Sequence, residues 1–567
     1  MSATANDIRR LMEAGRTAEA EAALRRKLAE SPSNAEWRGL LARVLAATGR
    51  KSEAIAELGI AVEQAPGTRE TRLTLARLAN ELGQSDLAAR HARILTERDA
   101  RDSEAWSALG MAAFGLRNKR EAARALRRAL EITPNYAAAR YNLATVLADL
   151  EQSEEALDEA EKALKHGAKP RSIALVRARA YIQLDRFDDA EGQLSALLRA
   201  DANDVEAHGI LLQLRQLRGD EEPIAALREA ASKPNAPPRL RLALADAARR
   251  SGATAEAEAG LRELMKSFGP EPMLMSSLAT VLQESGRKGE ALDAARAAIA
   301  RLPDDPVVAE NFVAAALCAG AFLDALPFVE KFRARKPRDQ RWITYRIDIA
   351  RLRGEQEYAS WYDAARVVSV IDLPPPAGFA TTEEFHSAIV PVLQARHRQQ
   401  NHPLDQSLRH GTQTSRNLLV NPGAEVTALL QSFRHAIADV QARCGRDAVH
   451  PFEARNVSSA VLLGCWSVRL RRQGFHVNHI HPEGWLSSAY YASVPAEVDD
   501  SSRRSGWLKF GEPRYAVPLL TPFLEIQPKP GRLVLSPSYL WHGTNALRDD
   551  APRLSVAFDA VPGAELD

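Results

Sequence analysis

The stretch SEAWSALGMAAFGLRNKREAARALRRALEITPNY, Ser103 to Tyr136, decides how the first two thirds of the chain fold. Small residues such as Gly110 and Ala122 let two antiparallel helices approach closely, the larger Leu109 and Leu126 fill the space between them, and Pro134 ends the second helix. Working outward, the same spacing returns: Ala20, Ala54, Ala88, Ala122, Ala156 and Ala190 lie 34 residues apart, and so do Gly15, Gly49 and Gly83. Further units run from Pro272 to Asp305, with Leu278, Ala279, Gly286, Ala291, Ala298 and Pro303, and from Pro306, with Gly320, Ala325 and Pro337. Counting phases from Met1 predicts about ten or eleven units. A slip of one residue falls near Pro223 to Pro238, where Lys233-Pro234-Asn235-Ala236-Pro237-Pro238 predicts an irregular joint. A generic bundle of Ala-rich helices has no need of a glycine every 34 residues.

Trp106, Leu109, Gly110, Ala122, Leu126, Ala129 and Pro134 stand where the tetratricopeptide pattern prescribes, and this part of the chain resembles that family. The resemblance implies an α-solenoid over residues 1–370, its concave wall lined by the first helix of each unit, and a surface for a protein or peptide partner.

Composition narrows the function classes. A chain of 567 residues is too long for one core, so several domains or a repeat array is expected. Lys and Arg number 75 against 73 Asp and Glu, which gives no bulk electrostatic case for nucleic acid or an anionic membrane. Cys318, Cys444 and Cys465 are far apart and lack metal or redox spacing, which points to a reducing compartment without a disulfide framework. Met1 to Arg10 holds Asn6, Asp7, Arg9 and Arg10 in place of an apolar leader core, and no apolar run is long enough to span a bilayer. A soluble cytoplasmic protein is expected, with no signal for its oligomeric state.

After about residue 365 aromatic, Pro and Ser content rises, so a second architecture follows. Residues 371–457 read as a linker, opened by Pro374-Pro375-Pro376, with helical periods over Glu383 to Arg398 and Ala424 to Arg443. The polar segment Asn401 to Arg416 is longer than most loops and is expected to cover a site. From Ser458 the pattern alternates: Trp466, Val468 and Leu470 interleave with Ser467, Arg469 and Arg471. Strand-like runs recur at Gly506 to Phe510, Phe523 to Gln527, Arg532 to Leu535 and Leu554 to Phe558, so residues 458–567 read as a sandwich or barrel. Within it, His479 and His481 stand at i and i+2 on an extended segment, share one face and can converge on a metal ion, and His542 follows. His476, three residues before His479, is expected to face away and to be structural.

The order His479-x-His481-Pro482, Trp485, Ser488, Tyr490-Tyr491, Pro530-Gly531, Leu535, Pro537, His542 and Arg553 resembles the 2-oxoglutarate/Fe(II) oxygenases that are often fused to tetratricopeptide arrays. Gly411-Thr412-Gln413-Thr414 is similar to the stretch before their barrel. The resemblance covers roughly Leu404 to Val561 and implies an α+β multidomain protein whose C-terminal part is a double-stranded β-helix, or jelly roll, with flanking helices. It implies Fe(II) as cofactor and 2-oxoglutarate as co-substrate, with His479, His481 and His542 as iron ligands. The middle position departs from the superfamily's carboxylate, so His481/Glu483/His542 stays open as an alternative set, as does a site with only two protein ligands. The resemblance also implies that Arg553 and Ser555 hold the distal carboxylate of 2-oxoglutarate. An arginine fork and a hydroxyl at i+2 suit that task. Of Tyr490 and Tyr491, which point to opposite faces, one reaches the oxo-acid, and Tyr490 is the expectation. Trp485, Tyr539, Trp541 and Asn545 line either the substrate mouth or the core. His166, His402, His410 and His450 have no ligand spacing.

The expected function is hydroxylation of a side chain of a protein or peptide bound by the repeats. Two other readings compete: a non-catalytic scaffold with an inactive barrel, and an oxygenase of a small metabolite.

Overall fold

The computed structural model describes residues 4–66, 68–404 and 406–565. Helices from Ala5–Glu13 to Phe322–Arg335 follow one another as ten hairpins, and Gln340–Arg353 closes the series as a single helix. The 34-residue period has a backbone cause. Between the helices of each hairpin one residue takes the left-handed conformation: Gly15, Gly49 and Gly83 at φ 71°, 83° and 70°. Glycine does this without a steric penalty. Arg117, Glu151 and Asp185 hold the same place at 65°, 59° and 56°, which is why the glycine spacing lapses there, and glycine returns at Gly219, Gly252, Gly286, Gly320 and Gly354. The slip falls between Gly219 and Gly252, where the helix Ala225–Ala231 has only seven residues and its successor starts at Pro238. Gly110 has the role its size suggests: a Cβ there would lie 2.7 Å from Leu126 Cγ and 3.1 Å from the Ala122 carbonyl oxygen.

The chain forms two compact units, Met1–Ala180 and Tyr181–Asp567. The first consists of hairpins alone, with an Ala- and Leu-rich core that includes Ala122, Leu126, Leu143 and Leu147. The second joins the later hairpins to the β domain, so the boundary expected at residue 370 is not where the contacts divide. The closing helix Gln340–Arg353 explains this. It is buried continuously from Trp342 to Ala350, as a helix packed on every side must be. Its Gln340 N–H donates to the Pro482 oxygen at 3.0 Å, Thr344 Oγ1 to the Tyr539 oxygen at 2.6 Å, and Asp348 Oδ2 accepts Trp541 Nε1–H at 2.9 Å. Arg351 donates to the Thr521 oxygen at 2.8 Å, and Val517, Leu520 and Trp541 share a core with Phe312, Trp342 and Tyr345.

Among the described residues the β domain has nine strands: β1 (Ser369–Asp372), β2 (Leu408–Gln413), β3 (Ala460–His476), β4 (Leu486–Ser493), β5 (Leu508–Phe510), β6 (Leu524–Ile526), β7 (Arg532–Pro537), β8 (His542–Thr544) and β9 (Arg553–Pro562). They form antiparallel sheets in the orders β1-β7-β4-β9-β3-β2 and β6-β5-β8. The segment expected to be linker and cover therefore supplies two edge strands. Asn401 to Arg416 is no loose flap: β2 pairs with β3, and Thr412 is buried with Oγ1 2.9 Å from His397 Nδ1. Residues alternate across the large sheet. Tyr490, Val556 and Phe558 pack with Phe385, Ile389 and Phe433 of the helices Thr382–Gln394 and Ala424–Arg443. Ser487, Tyr491, Arg553, Ser555 and Asp559 have the opposite parity and line the inner face.

Candidate metal centre

His479 and His542 face each other as an antiparallel pair: His479 N–H donates to the His542 oxygen at 2.9 Å and His542 N–H to the His479 oxygen at 3.0 Å. Opposed residues on neighbouring strands put their side chains together, and the two ring centroids are 4.3 Å apart. His481, two residues on, turns to the same side, its N–H bonded to the Ser538 oxygen at 3.0 Å and its ring 5.1 Å from both others. One ligand atom from each lies within 4.8 Å of the other two, and among the described residues this is the group of three able to hold a metal ion.

The hydrogen bonds fix how these rings present themselves. Nδ1 of His479 lies 2.9 Å from the Val477 oxygen, Nδ1 of His542 2.9 Å from the Leu540 oxygen, and Nδ1 of His481 2.7 Å from Asp559 Oδ2. Carbonyl and carboxylate oxygens only accept, so each ring carries a proton on Nδ1 and offers Nε2 to a metal. Burial, followed by the neighbouring imidazoles, pushes His542 down to about 4 and His479 well below its ordinary value. Both are neutral near pH 7, as metal donation requires. For His481 burial acts the same way, but the charge and hydrogen bond of Asp559 outweigh it and raise the pKa.

Arg553 stands on the inner face of the large sheet, in step with Ser555 and Asp559 along β9 and on the face that Asp559 presents to His481; it is 2 % exposed, with Nη1 donating to the Gly506 oxygen at 2.6 Å and Nε without a partner. Its guanidinium lies 5.4 Å from the centre of the Tyr491 ring, whose hydroxyl is also buried and unpartnered. No carboxylate pairs with it among the described residues; burial lowers its pKa, and Tyr491 is the group that opposes this. Ser555 is buried two residues along the strand, and Leu408 of β2, Val468 and Leu470 of β3 and Leu547 of the connection from β8 to β9 form an apolar cluster, with Val468 opposite Ser555 and Leu470 opposite Arg553. A buried guanidinium with idle donors is costly unless an anion meets it. The donor set suits a carboxylate.

Several expectations change. Tyr490 is turned away from Arg553: its hydroxyl is 2.7 Å from His386 Nε2 and its ring packs on Phe433. The two-residue period gives the inner face to Tyr491 instead. His476 does not face away, because β3 ends there and strict alternation ends with it. Its ring stacks 5.9 Å from His479, and Ser407 Oγ lies 2.9 Å from His476 Nδ1 and 3.3 Å from His479 Nε2. Glu483 is exposed and stands outside the histidine group. Trp485 and Tyr539 are core, bonded to the Phe452 and Trp361 oxygens at 2.9 Å and 2.8 Å, and Trp541 is bound to Asp348. Asn545 is tied to Glu525 at 3.0 Å. His166, His402, His410 and His450 join no such group. Asp559 was missed, although extending the Arg553/Ser555 period along β9 would have placed it on the inner face.

The family described as "Putative 2OG-Fe(II) oxygenase" matches residues 464–559, and families described as "Tetratricopeptide repeat" match residues 11–70, 103–136, 125–158 and 242–306. The chain thus joins tetratricopeptide repeats in its N-terminal region to a C-terminal domain of the 2-oxoglutarate/Fe(II) oxygenase kind. Such repeats generally mediate protein–protein interactions. No curated protein matches the sequence. Similar solved structures include a tetratricopeptide protein of Thermus thermophilus, 22% identical over 34% of this chain and 100% of that one, with a TM-score of 0.29. They also include pilF of Pseudomonas aeruginosa, at 17% identity over 36% and 92% with a TM-score of 0.31. MamA of Desulfovibrio magneticus stands at 17% over 28% and 91% with 0.27. Among the described residues no helix is long and apolar enough to cross a membrane.

Proposed function

We propose that this protein is an Fe(II)- and 2-oxoglutarate-dependent dioxygenase that hydroxylates a side chain of a protein or peptide. The observation that carries this reading is the pairing of three convergent imidazoles, joined to β9 through Asp559, with a buried Arg553 on the same face of that strand that has no counter-ion among the described residues. His479, His481 and His542 hold the iron through Nε2. Bound there, Fe(II) supplies the oxidising chemistry with 2-oxoglutarate and dioxygen. Arg553 takes the distal carboxylate of 2-oxoglutarate with its idle donors, Tyr491 adds a hydroxyl in place of Tyr490, and Ser555 lies beside them on β9. Leu408, Val468, Leu470 and Leu547 keep water from that end, which strengthens the ion pair. The Nδ1 bonds hold the three rings in one tautomer and orientation.

The repeats within Tyr181–Asp567 are engaged in holding the β domain through Gln340–Arg353, so we assign recognition of the polypeptide to the repeats of Met1–Ala180. Cys318, Cys444 and Cys465 are unpaired, in keeping with a cytoplasmic protein.

The test is succinate release from 2-oxoglutarate by the Fe(II)-loaded protein, with and without cell-extract peptides. We expect turnover that peptides stimulate. Turnover stimulated only by small metabolites would overturn the substrate assignment, and none under either condition would leave a scaffold with an inactive barrel.

A further inference from the structure

We propose that Asp559 supplies the negative charge that a ligand carboxylate supplies in a two-histidine, one-carboxylate site, delivered through His481; this rests on the reading that the three histidines hold iron. Three neutral imidazoles leave Fe(II) without any ligand charge. Asp559 corrects this from the next layer: its Oδ2 accepts His481 Nδ1–H at 2.7 Å. Its Oδ1 accepts from Ser487 Oγ at 2.9 Å, Ser487 Oγ lies 2.9 Å from Ser538 Oγ, and the Ser538 backbone oxygen accepts His481 N–H at 3.0 Å. Both serines are buried. The carboxylate is therefore fixed at both oxygens, and ring and backbone of His481 are bound to one closed network.

No Lys or Arg pairs with Asp559 among the described residues; His481 is its ionic partner. Two charged residues on one face of β9 are thus complementary opposites: Arg553 is a cation lacking an anion among the described residues, and Asp559 is an anion whose charge is directed at a metal-facing ring. An anion bonded to Nδ1–H makes Nε2 a stronger donor, and such partners are typically worth about 10- to 100-fold in metal affinity. Asp559 is a positioning residue, acting through His481.

The experiment is anaerobic calorimetric titration of Fe(II) into wild type, Asp559→Asn and the double variant His481→Asp/Asp559→Asn, without 2-oxoglutarate, together with the melting temperature of each metal-free protein. We expect Asp559→Asn to bind Fe(II) about 10- to 100-fold more weakly at an unchanged metal-free melting temperature. The double variant, which moves the charge onto the ligand itself, should return to within about tenfold of wild type. A merely structural Asp559 would not be rescued this way. Wild-type affinity in Asp559→Asn, or a double variant no tighter than Asp559→Asn, overturns the proposal and leaves the iron site standing. Absence of Fe(II) binding in wild type overturns both. Should Asp559→Asn not fold, the double variant decides alone: affinity within about tenfold of wild type supports the proposal, and anything weaker overturns it.

Discussion

The repeat array and the β domain solve the same problem, placing small and charged groups at chosen points, by opposite means. In the first compact unit of the array the hairpins pack chiefly on their sequence neighbours, and a residue such as Gly110 meets Leu126 within its own hairpin. In the β domain the centre draws His479 and His481 from one segment, His542 from β8, and Arg553 and Asp559 from one face of β9. Local contacts make the array tolerant and repetitive. Long-range pairing makes the centre sensitive to single atoms.

The sharpest break of this contrast is His542→Ala. It removes one of three donors and the ring next to His479, and we expect Fe(II) binding and succinate production both to disappear in titration and turnover assays. Arg553→Gln comes next. Loss of one partner of a buried ion pair costs about 2–5 kcal/mol, so the 2-oxoglutarate concentration for half-maximal turnover should rise about 30-fold or more, with Fe(II) affinity unchanged in titration.

Asp348 tests the seam at the closing helix. Burial, opposed by the Trp541 hydrogen bond, raises its carboxyl from 3.8 to about 7. The folded state therefore keeps a proton that the unfolded chain gives up, and stability from this group is lost as pH rises from about 4 to about 7. Asp348→Asn should be as stable as wild type at acid pH and more stable at pH 8, by about 4 kcal/mol, in denaturant titrations at the two pH values. Within the array, Gly110→Val drives a methyl-bearing carbon into Leu126 and should cost about 1–3 kcal/mol, read as a lower thermal midpoint at unchanged Fe(II) affinity. Glu483→Ala is the smallest effect: outside the histidine group, it should leave iron affinity within about twofold of wild type, as expected of an exposed side chain.

The same contrast governs what could be read from the residues alone. The hairpins were legible because a left-handed turn recurs every 34 residues and glycine marks it; the three units with Arg117, Glu151 and Asp185 there were carried by the alanine spacing. The three histidines were legible because i, i+2 spacing survives on an extended segment. His476 was misjudged because alternation stops where β3 stops, a boundary no residue type announces. Tyr490 and Tyr491 could be told apart only by the cross-strand register, Tyr491 opposite Ser555 and Tyr490 opposite Val556. β1 and β2 lay hidden in a segment whose prolines and polar residues resemble linker, since edge strands need no strong alternation. The joining of the later hairpins to the β domain was invisible, because it rests on contacts such as Thr344 to Tyr539 that no period encodes.

The central claim, that the histidine group and Arg553 together make one site for iron and 2-oxoglutarate, is tested most directly by anaerobic titration of 2-oxoglutarate into the Fe(II)-loaded protein. We predict saturable one-to-one binding that needs the metal, is lost in His542→Ala and is weakened in Arg553→Gln. Tight Fe(II) binding with no 2-oxoglutarate uptake, or uptake indifferent to Arg553, would contradict it.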